Sequence, residues 1–198
     1  TCVLRDRDSV VVLPTGGGKS LCYQAPAVCR SGLAIVISPL ISLMKDQVDS
    51  LRTSGVSAAF INSSQTHEQH RRVANAVRDG SLNLLYIAPE RLVQDRTIEF
   101  LKKANVSFFA IDEAHCISEW GHDFRTAYLN VGKTLRKFGA DSTGQAPPVL
   151  ALTGTASRAV LKDVLNDLDI TQQAANTLIT VSDTHQTLPT TREKKNKT

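Results

Sequence analysis

One short stretch decides the fold: Ser9-Val10-Val11-Val12-Leu13-Pro14-Thr15-Gly16-Gly17-Gly18-Lys19-Ser20. Its first five residues are mostly β-branched and apolar, which predicts a buried strand over Ser9–Leu13. A helical pattern over Lys19–Val28 follows the glycines. Glycines let backbone N–H groups converge on one point, and the following helix N-terminus adds its positive end. The stretch therefore predicts a loop that binds the phosphates of a nucleotide.

Two side chains of the predicted phosphate-binding loop would have separate roles. Lys19 would bind the β- and γ-phosphates as a positive charge, and the Ser20 hydroxyl would ligate Mg²⁺. The strict pattern GxxxxGK[ST] is missed at one position, because its first glycine would fall at Leu13. The alternative is a glycine-rich turn with an incidental lysine. The predicted nucleotide-binding residues are Thr15, Gly16, Gly17, Gly18, Lys19 and Ser20.

Apolar runs and helical stretches alternate along almost the whole chain, which indicates an α/β fold with a mostly parallel central sheet and helices on both faces. In such a sheet, ligands bind at the carboxyl ends of the strands. The predicted strands are Ser9–Leu13, Leu33–Ser38, Ala58–Ile61, Leu82–Ile87, Phe108–Ile111, Val149–Leu152 and Leu178–Val181. The predicted helices are Lys19–Val28, Ser42–Ser54, Thr66–Asp79, Thr97–Ala104, Ala127–Lys137 and Ser157–Leu168, with Ser42 and Ser157 as candidate N-caps.

A second candidate site follows the apolar run Phe108–Ile111, at Asp112-Glu113-Ala114-His115. Asp112 would hold Mg²⁺, and Glu113 would orient and deprotonate an attacking water. The alternative is an acidic helix start, because carboxylates favour the positive end of a helix. Combined with the phosphate loop, the two carboxylates predict an ATPase in which Lys19 and Glu113 face each other across a triphosphate pocket.

Composition agrees with a globular domain: of 198 residues, 41% are hydrophobic and 21% are charged. Length predicts one domain over residues 1–182, followed by a Thr- and Lys-rich tail over residues 183–198 that we expect to be disordered. The net charge is +4. Four of the 23 basic and two of the 19 acidic residues lie in the tail, so the remainder carries only +2. Bulk charge is therefore weak evidence for a nucleic-acid partner.

Two further patterns bear on location. The longest aliphatic run, Leu33–Ile37, is far shorter than the ~20 residues that cross a bilayer, and the N-terminus lacks an apolar signal core. Membrane and secretory classes are therefore excluded from the prediction. The four cysteines form no CxxC pair, which favours reduced thiols. We expect an intracellular protein, cytoplasmic in a bacterium and nuclear in a eukaryote.

With these residues placed, the chain resembles the first RecA-like lobe of RecQ-family DNA helicases, which carry a DEAH-type motif II within superfamily 2. The resemblance runs from about Ser9 to Leu168 and is carried by blocks in the family's order. These blocks are Pro14–Ser20, Ile37–Gln47, Tyr86–Leu92, Asp112–His115, Ile117–Tyr128 and Thr153–Ala156.

The resemblance implies a P-loop NTPase lobe that uses ATP and Mg²⁺ to move along single-stranded DNA and unwind forked duplexes with 3′–5′ polarity. It adds His115 to the catalytic residues. It also implies that an aromatic-rich loop links DNA contact to hydrolysis through Trp120, His122, Phe124 and Arg125. Aromatic faces stack on unpaired bases, and arginine pairs with phosphate. The alternative is that the two aromatics fill a small satellite core.

Two more blocks acquire roles by resemblance. Pro39, Ser42 and Arg91 would contact the DNA backbone, although strand-ending turns use the same residue types. Thr153 and Thr155 would relay the nucleotide state between lobes.

The chain departs from the family pattern in three respects. The family's segment before the phosphate loop, whose glutamine and neighbouring aromatic bind adenine, has no counterpart here, so adenine selectivity is not assigned. Gly154 stands where the family usually has alanine and Thr126 replaces a common proline, and we infer no loss of function from these small changes. The second RecA-like lobe, with its arginine finger, has no counterpart in residues 169–198. Because loss of such an arginine can slow phosphoryl transfer by about 10³–10⁵-fold, we expect weak hydrolysis by this chain alone. The alternative function is a nucleotide- and DNA-binding module with little or no unwinding activity.

Overall fold

The computed structural model describes residues 2–92, 94–118, 128, 130–138, 146–154, 157–170 and 179–180. The strands in this part of the chain are β1 (Ser9–Val12), β2 (Leu33–Ile37), β3 (Ala58–Ile61), β4 (Leu84–Ile87), β5 (Val106–Ile111), β6 (Val149–Thr153) and β7 (Ile179–Thr180). The α-helices are α1 (Leu21–Cys29), α2 (Ile41–Thr53), α3 (His67–Arg78), α4 (Pro89–Leu92), α5 (Asp95–Leu101), α6 (Val131–Lys137) and α7 (Arg158–Asp167). Short 3-10 helices cover Val3–Arg5 and Ala114–Ile117.

The strands form one sheet in the order β3-β4-β2-β5-β6-β1-β7, and every pairing among the described residues is parallel. Strand β6 separates β1 from β5, with Val12 opposite Thr153 and Ile111 opposite Ala151. The carboxyl ends of β1, β6 and β5 thus lie at the same edge of the sheet, with β5 ending two residues before β6. The α/β fold with a parallel sheet is confirmed, and its order brings the two predicted sites to one edge.

Side chains of the central strands alternate between two apolar cores, one on each face of the sheet. The first core is covered by α3, α5, α6 and α7, and the second by α1 and α2. Both faces of the central strands β2, β4, β5 and β6 are buried, which explains why their sequences are continuously apolar rather than alternating. The prediction of helices on both faces is confirmed.

Of the two serines predicted as helix N-caps, the structure confirms one. Ser157 accepts a hydrogen bond from the backbone N–H of Val160 and caps α7, as predicted. The prediction that Ser42 caps α2 is wrong, because the helix already begins at Ile41 with Leu40 as its N-cap residue. Helix α1 begins at Leu21 rather than Lys19, since the two preceding residues still belong to the loop.

Further comparisons between sequence and structure concern a short helix, the cysteines and two segments outside the described residues. Helix α4 was not predicted, because four residues are too few to show a helical period. The prediction of free thiols agrees with four unbridged cysteines. The aromatic-rich loop and the tail lie outside the described residues. Within the described ranges, no helix is both long and apolar enough to cross a membrane.

At Gly132, α6 packs so closely against the end of α7 that a larger side chain is expected to lower stability. A Cβ at this position would overlap the carbonyl oxygen of Asp167, a backbone atom that cannot rotate away. We expect Gly132→Ala to lower the free energy of unfolding by about 3 kcal/mol in urea titrations.

The matched control is Gly80→Ala. A Cβ at Gly80 meets no atom within 4 Å, and the only cost is its φ of +72°, about 1–2 kcal/mol. An equal or larger loss of stability in Gly80→Ala than in Gly132→Ala would contradict the proposed steric role.

Candidate nucleotide-binding site

A cleft opens at the carboxyl edge of the sheet, beside the ends of β1, β2 and β5. It lies where ligands bind in sheets of this class. Both sequence-predicted sites contribute to it, together with residues of α2 and β4. The lining residues are Thr15, Gly16, Lys19, Ser20, Ser38, Leu43, Met44, Gln47, Tyr86, Asp112 and Glu113.

The glycine-rich loop forms one wall of the cleft. Gly16 and Gly18 have φ values of +81° and +79°, which glycine adopts without steric cost. The N–H of Gly17 donates to the carbonyl oxygen of Pro14. Within the described part of the chain, no hydrogen bond uses the backbone N–H groups of Gly16, Gly18, Lys19 or Ser20. These unused donors beside a lysine make the loop suited to an anion such as phosphate.

Lys19 and Glu113 lie in direct contact, although 94 positions separate them in the chain: Lys19 Nζ donates to Glu113 Oε1 over 3.2 Å. The sequence predicted that they face each other across a pocket. The structure instead pairs them, and their side chains are 12% and 27% exposed. A phosphate bound by Lys19 would therefore have to replace Glu113 as its partner.

Gly154, at the end of β6, lies against this ion pair. A Cβ added there would be 2.9 Å from Lys19 Nζ. The glycine that departs from the family's usual alanine therefore gives the ammonium group room beside β6. Because Nζ is the end of a flexible side chain, alanine would displace it slightly without breaking the fold.

The backbone at Glu113 is left-handed, with φ of +48° and ψ of +47°. This conformation is uncommon for a residue with a Cβ, and such residues cluster at functional sites. Glu113 precedes the 3-10 helix Ala114–Ile117, but its side chain makes no capping hydrogen bond. The structure therefore does not show a simple acidic helix start, because the Glu113 carboxylate lies beside Lys19 and His115.

The pKa values of Asp112 and Glu113 are shifted in opposite directions. A hydrogen bond from His115, followed by the contact with Lys19, lowers the pKa of Glu113. Burial, followed by the adjacent Glu113 charge, raises the pKa of Asp112. Hydrogen bonds with the Cys116 and Glu113 side chains raise the pKa of His115 to about 10. At neutral pH, Glu113 is therefore ionised between two cations.

His115 also connects the acidic segment to β6. Its Nδ1 lies 3.3 Å from Glu113 Oε2 and 3.1 Å from the hydroxyl oxygen of Thr153. Thr153 is fully buried at the carboxyl end of β6. The structure thus brings together three of the predicted catalytic and coupling residues, whereas Thr155 lies outside the described residues.

Ser20 and Asp112 are the residues suited to hold Mg²⁺. Both line the cleft, and a hydroxyl plus a carboxylate is the oxygen donor set that this ion prefers. The described residues contain no group of three or more His, Cys, Asp or Glu side chains that could enclose a metal. Two protein ligands fit Mg²⁺ well, because this ion usually keeps waters and takes phosphate oxygens as further ligands.

The predicted DNA contacts fall into two sets. Ser42 is exposed near the start of α2, and Arg91 is half-buried on α4 with a hydrogen bond to Gln94. Both follow strands that are neighbours in the sheet, β2 and β4. Pro39 is buried, so its ring offers no open surface. Trp120, His122, Phe124 and Arg125 lie outside the described residues.

Sequence reasoning missed the part of the cleft contributed by Leu43, Met44, Gln47 and Tyr86. Two signals were available. The first three residues share one helix face by their spacing of three and four. Tyr86 places a hydroxyl in an otherwise apolar strand, where it needs a hydrogen-bond partner.

Comparisons with known proteins agree with this geometry. A family model described as DEAD/DEAH box helicase matches residues 1–164. The chain is 49% identical to ATP-dependent DNA helicase RecQ of Haemophilus influenzae over 167 residues, which cover 84% of this chain and 26% of that protein. The RecQ helicase of Bacillus subtilis is 46% identical and is covered to 28%. The chain thus spans about a quarter of the length of these relatives.

Solved structures share the fold. The helicase domain of Hef from Pyrococcus furiosus superposes with a TM-score of 0.61 at 21% identity, covering 86% of this chain and 34% of that one. The DUF1998 helicase MrfA bound to DNA gives a TM-score of 0.64 at 17% identity over 85% of this chain and 23% of that one. The fold is therefore that of RecA-like helicase domains. On the family match, the chain belongs to the DEAD/DEAH box helicase family, and RecQ helicases are among the relatives that it resembles at 46–49% identity.

Proposed function

We propose that this chain is the ATP-binding lobe of a 3′–5′ DNA helicase of the RecQ type, in which ATP hydrolysis drives movement along single-stranded DNA. The single observation that carries the proposal is the contact between Lys19 and Glu113 at a cleft walled by unused N–H donors. A lysine that can bind phosphate beside a carboxylate that can accept a proton is the arrangement that ATP hydrolysis requires, and this supports the proposal.

Binding begins with an exchange of partners. The N–H groups of the loop hold the phosphates, and Lys19 leaves Glu113 to bind the β- and γ-phosphate oxygens. Ser20 and Asp112 hold Mg²⁺, which when bound neutralises charge on the phosphate oxygens. Burial supports the role of Asp112, because a cation gains more from a carboxylate that is poorly solvated.

Glu113, released from Lys19, accepts the proton of the attacking water. The water oxygen bonds to the γ-phosphorus as the bond to the bridging oxygen breaks, so that ADP and phosphate are the products. His115 remains beside Glu113 and holds the carboxylate while it also contacts Thr153. We assign to Thr153 and Thr155 the relay of nucleotide state toward a second lobe.

DNA would lie along the carboxyl edge of the sheet beyond the cleft. Ser42 follows β2 and Arg91 follows β4, the neighbouring strand. Both would contact DNA phosphates, which carry no sequence information. Trp120 and Phe124 would stack on unpaired bases, with His122 and Arg125 beside them. Unwinding of forked duplexes would require a second RecA-like lobe, and the DNA substrate places the protein inside the cell.

The first test uses Lys19→Ala and Glu113→Gln. Loss of a charge-assisted contact predicts that Lys19→Ala binds ATP about tenfold more weakly or worse. Loss of the base predicts that Glu113→Gln hydrolyses ATP about 10²–10⁴-fold more slowly. Its ATP affinity should equal or exceed that of the wild type, because no carboxylate then competes for Lys19. Fluorescent-nucleotide titration and phosphate release measure the two quantities.

The same measurements with and without single-stranded DNA separate the alternatives. A wild-type rate that rises with DNA and collapses in both variants supports the ATPase. Wild type and variants that bind nucleotide but are equally inert, even with DNA, would assign the chain to a binding module without useful turnover.

A second test concerns the aromatic-rich loop. Trp120→Ala removes the largest stacking surface, so we expect DNA to stimulate ATP hydrolysis little or not at all in this variant. Its nucleotide affinity should stay within about twofold of the wild type, because the substitution leaves the phosphate loop intact. DNA stimulation equal to that of the wild type would remove Trp120 from the proposed coupling.

A third prediction concerns His115, whose pKa is raised to about 10. The unfolded value is about 6.5, so the shift stabilises the fold below about pH 6.5, and this contribution is lost as the pH rises toward 10. Proton NMR should show the imidazole titrating near pH 10. Glu113→Gln should lower that midpoint, and an unchanged midpoint would show that Glu113 does not hold the imidazolium.

A further inference from the structure

The peptide unit that joins Asp112 to Glu113 is hydrogen-bonded at both of its polar atoms. Its N–H, which belongs to Glu113, donates to the side-chain Oδ1 of Asp112 over 3.0 Å. Its carbonyl oxygen, which belongs to Asp112, accepts a hydrogen bond from the Tyr128 hydroxyl over 3.3 Å. Rotation of this peptide unit would therefore disturb both hydrogen bonds.

The orientation of this peptide unit sets the backbone of Glu113. The φ torsion of Glu113 turns about the bond from the peptide nitrogen to Cα, and its value is +48°. A residue with a Cβ adopts this left-handed conformation at a cost that surrounding contacts must offset. The carbonyl oxygen of Glu113 accepts the N–H of Cys116 over 2.9 Å, which is a local contact. The Tyr128 hydroxyl, in contrast, holds this backbone from 16 positions away in the chain.

Tyr128 is a fixed and permanent donor. The residue is only 1% exposed, and its ring packs in the first apolar core. Burial is the main cause that raises the pKa of Tyr128 well above its usual value, so the hydroxyl keeps its proton. A buried hydroxyl needs a hydrogen-bond partner in any case. The alternative to a functional role is therefore that the contact only satisfies the hydroxyl itself.

We propose that Tyr128 is a positioning residue: its hydroxyl fixes the peptide unit before Glu113 and thereby keeps the Glu113 carboxylate against Lys19 until a nucleotide binds. This inference rests on the proposed function, because it takes Lys19 as the phosphate ligand and Glu113 as the base. Without the hydroxyl, the carboxylate competes less well for Lys19, so ATP binds more tightly. The same freedom places the base poorly for the attacking water, so hydrolysis slows.

The test uses Tyr128→Phe, which keeps the ring and removes only the hydroxyl. A fluorescent ATP analogue is titrated into the wild type, Tyr128→Phe, Glu113→Gln and the double variant. We expect Tyr128→Phe to bind the analogue about twofold to tenfold more tightly than the wild type, the range that one neutral hydrogen bond supplies. In the Glu113→Gln background the same substitution should change affinity by less than about twofold, because no carboxylate is left to compete.

Phosphate release at saturating ATP gives the second readout. We expect the rate of Tyr128→Phe to fall about tenfold, while its affinity for ATP rises. A general loss of stability does not produce tighter binding together with slower turnover. It also does not produce a gain in affinity that depends on the residue at position 113.

The matched control is Tyr23→Phe, which removes the hydroxyl of another tyrosine that is 1% exposed. The ring of Tyr23 packs in the second apolar core, on the opposite face of the sheet, and its hydroxyl lies 3.5 Å from that of Tyr86. Any change in affinity that Tyr23→Phe causes should be equal with glutamate and with glutamine at position 113. Thermal unfolding checks each variant, and a Tyr128→Phe chain that does not fold would assign the hydroxyl to stability and overturn the positioning role.

The outcomes separate the two proposals. If Lys19→Ala binds ATP as tightly as the wild type, the proposed function is overturned and this inference with it. If Lys19→Ala binds weakly but Tyr128→Phe matches the wild type in affinity or in rate, only the inference about Tyr128 is overturned. A gain in affinity that persists undiminished in the Glu113→Gln background would overturn it as well, since the hydroxyl would then act without Glu113.

Discussion

The ion pair between Lys19 and Glu113 is the interaction on which the site depends, and it exists because of strand order. The two residues follow β1 and β5, which are not neighbours in the sheet; β6 lies between them. Only a parallel sheet ends all three strands at one edge, so the loop after β1 can reach the acids after β5 across the end of β6. The contact between Lys19 and Glu113 is therefore a consequence of the strand order of the sheet.

The pair also gives the cleft a resting arrangement. Glu113 is shared between Lys19 and His115, and His115 is shared between Glu113 and Thr153. In the proposed mechanism, transfer of Lys19 to a phosphate leaves the Glu113 carboxylate with one partner fewer and hence a more basic oxygen. Nucleotide binding and activation of the proposed base would therefore be linked through the Lys19 side chain. Gly154 gives the ammonium group of Lys19 room beside β6, where a Cβ would shift it slightly.

Local sequence signals predicted those parts of the fold and site that local chemistry determines. The continuous apolar strands, the phosphate loop and the Ser157 cap follow from periodicity, glycine and a hydroxyl at a helix start. Ser42 was misplaced because a serine one residue inside a helix looks like a cap. The left-handed backbone of Glu113 and the contacts of Gln24 with Gln47 and Tyr86 could not be predicted, since they arise where α1, α2, β4 and β5 meet in three dimensions. A buried Tyr86 required a partner, but the chain alone does not say which.

Asp112 and Glu113 show why position, rather than residue type, assigns the roles at this site. They are adjacent acids, yet burial raises the pKa of the first while hydrogen bonds lower that of the second. The surroundings of the two carboxylates explain the difference: Glu113, whose backbone is left-handed, has its carboxylate beside Lys19 and His115, while the Asp112 carboxylate is more buried at the end of β5. A poorly solvated carboxylate gains most from a divalent cation, and an ionised, partly exposed one can reach a water. One left-handed residue thus separates the proposed metal ligand from the proposed base within a single peptide unit.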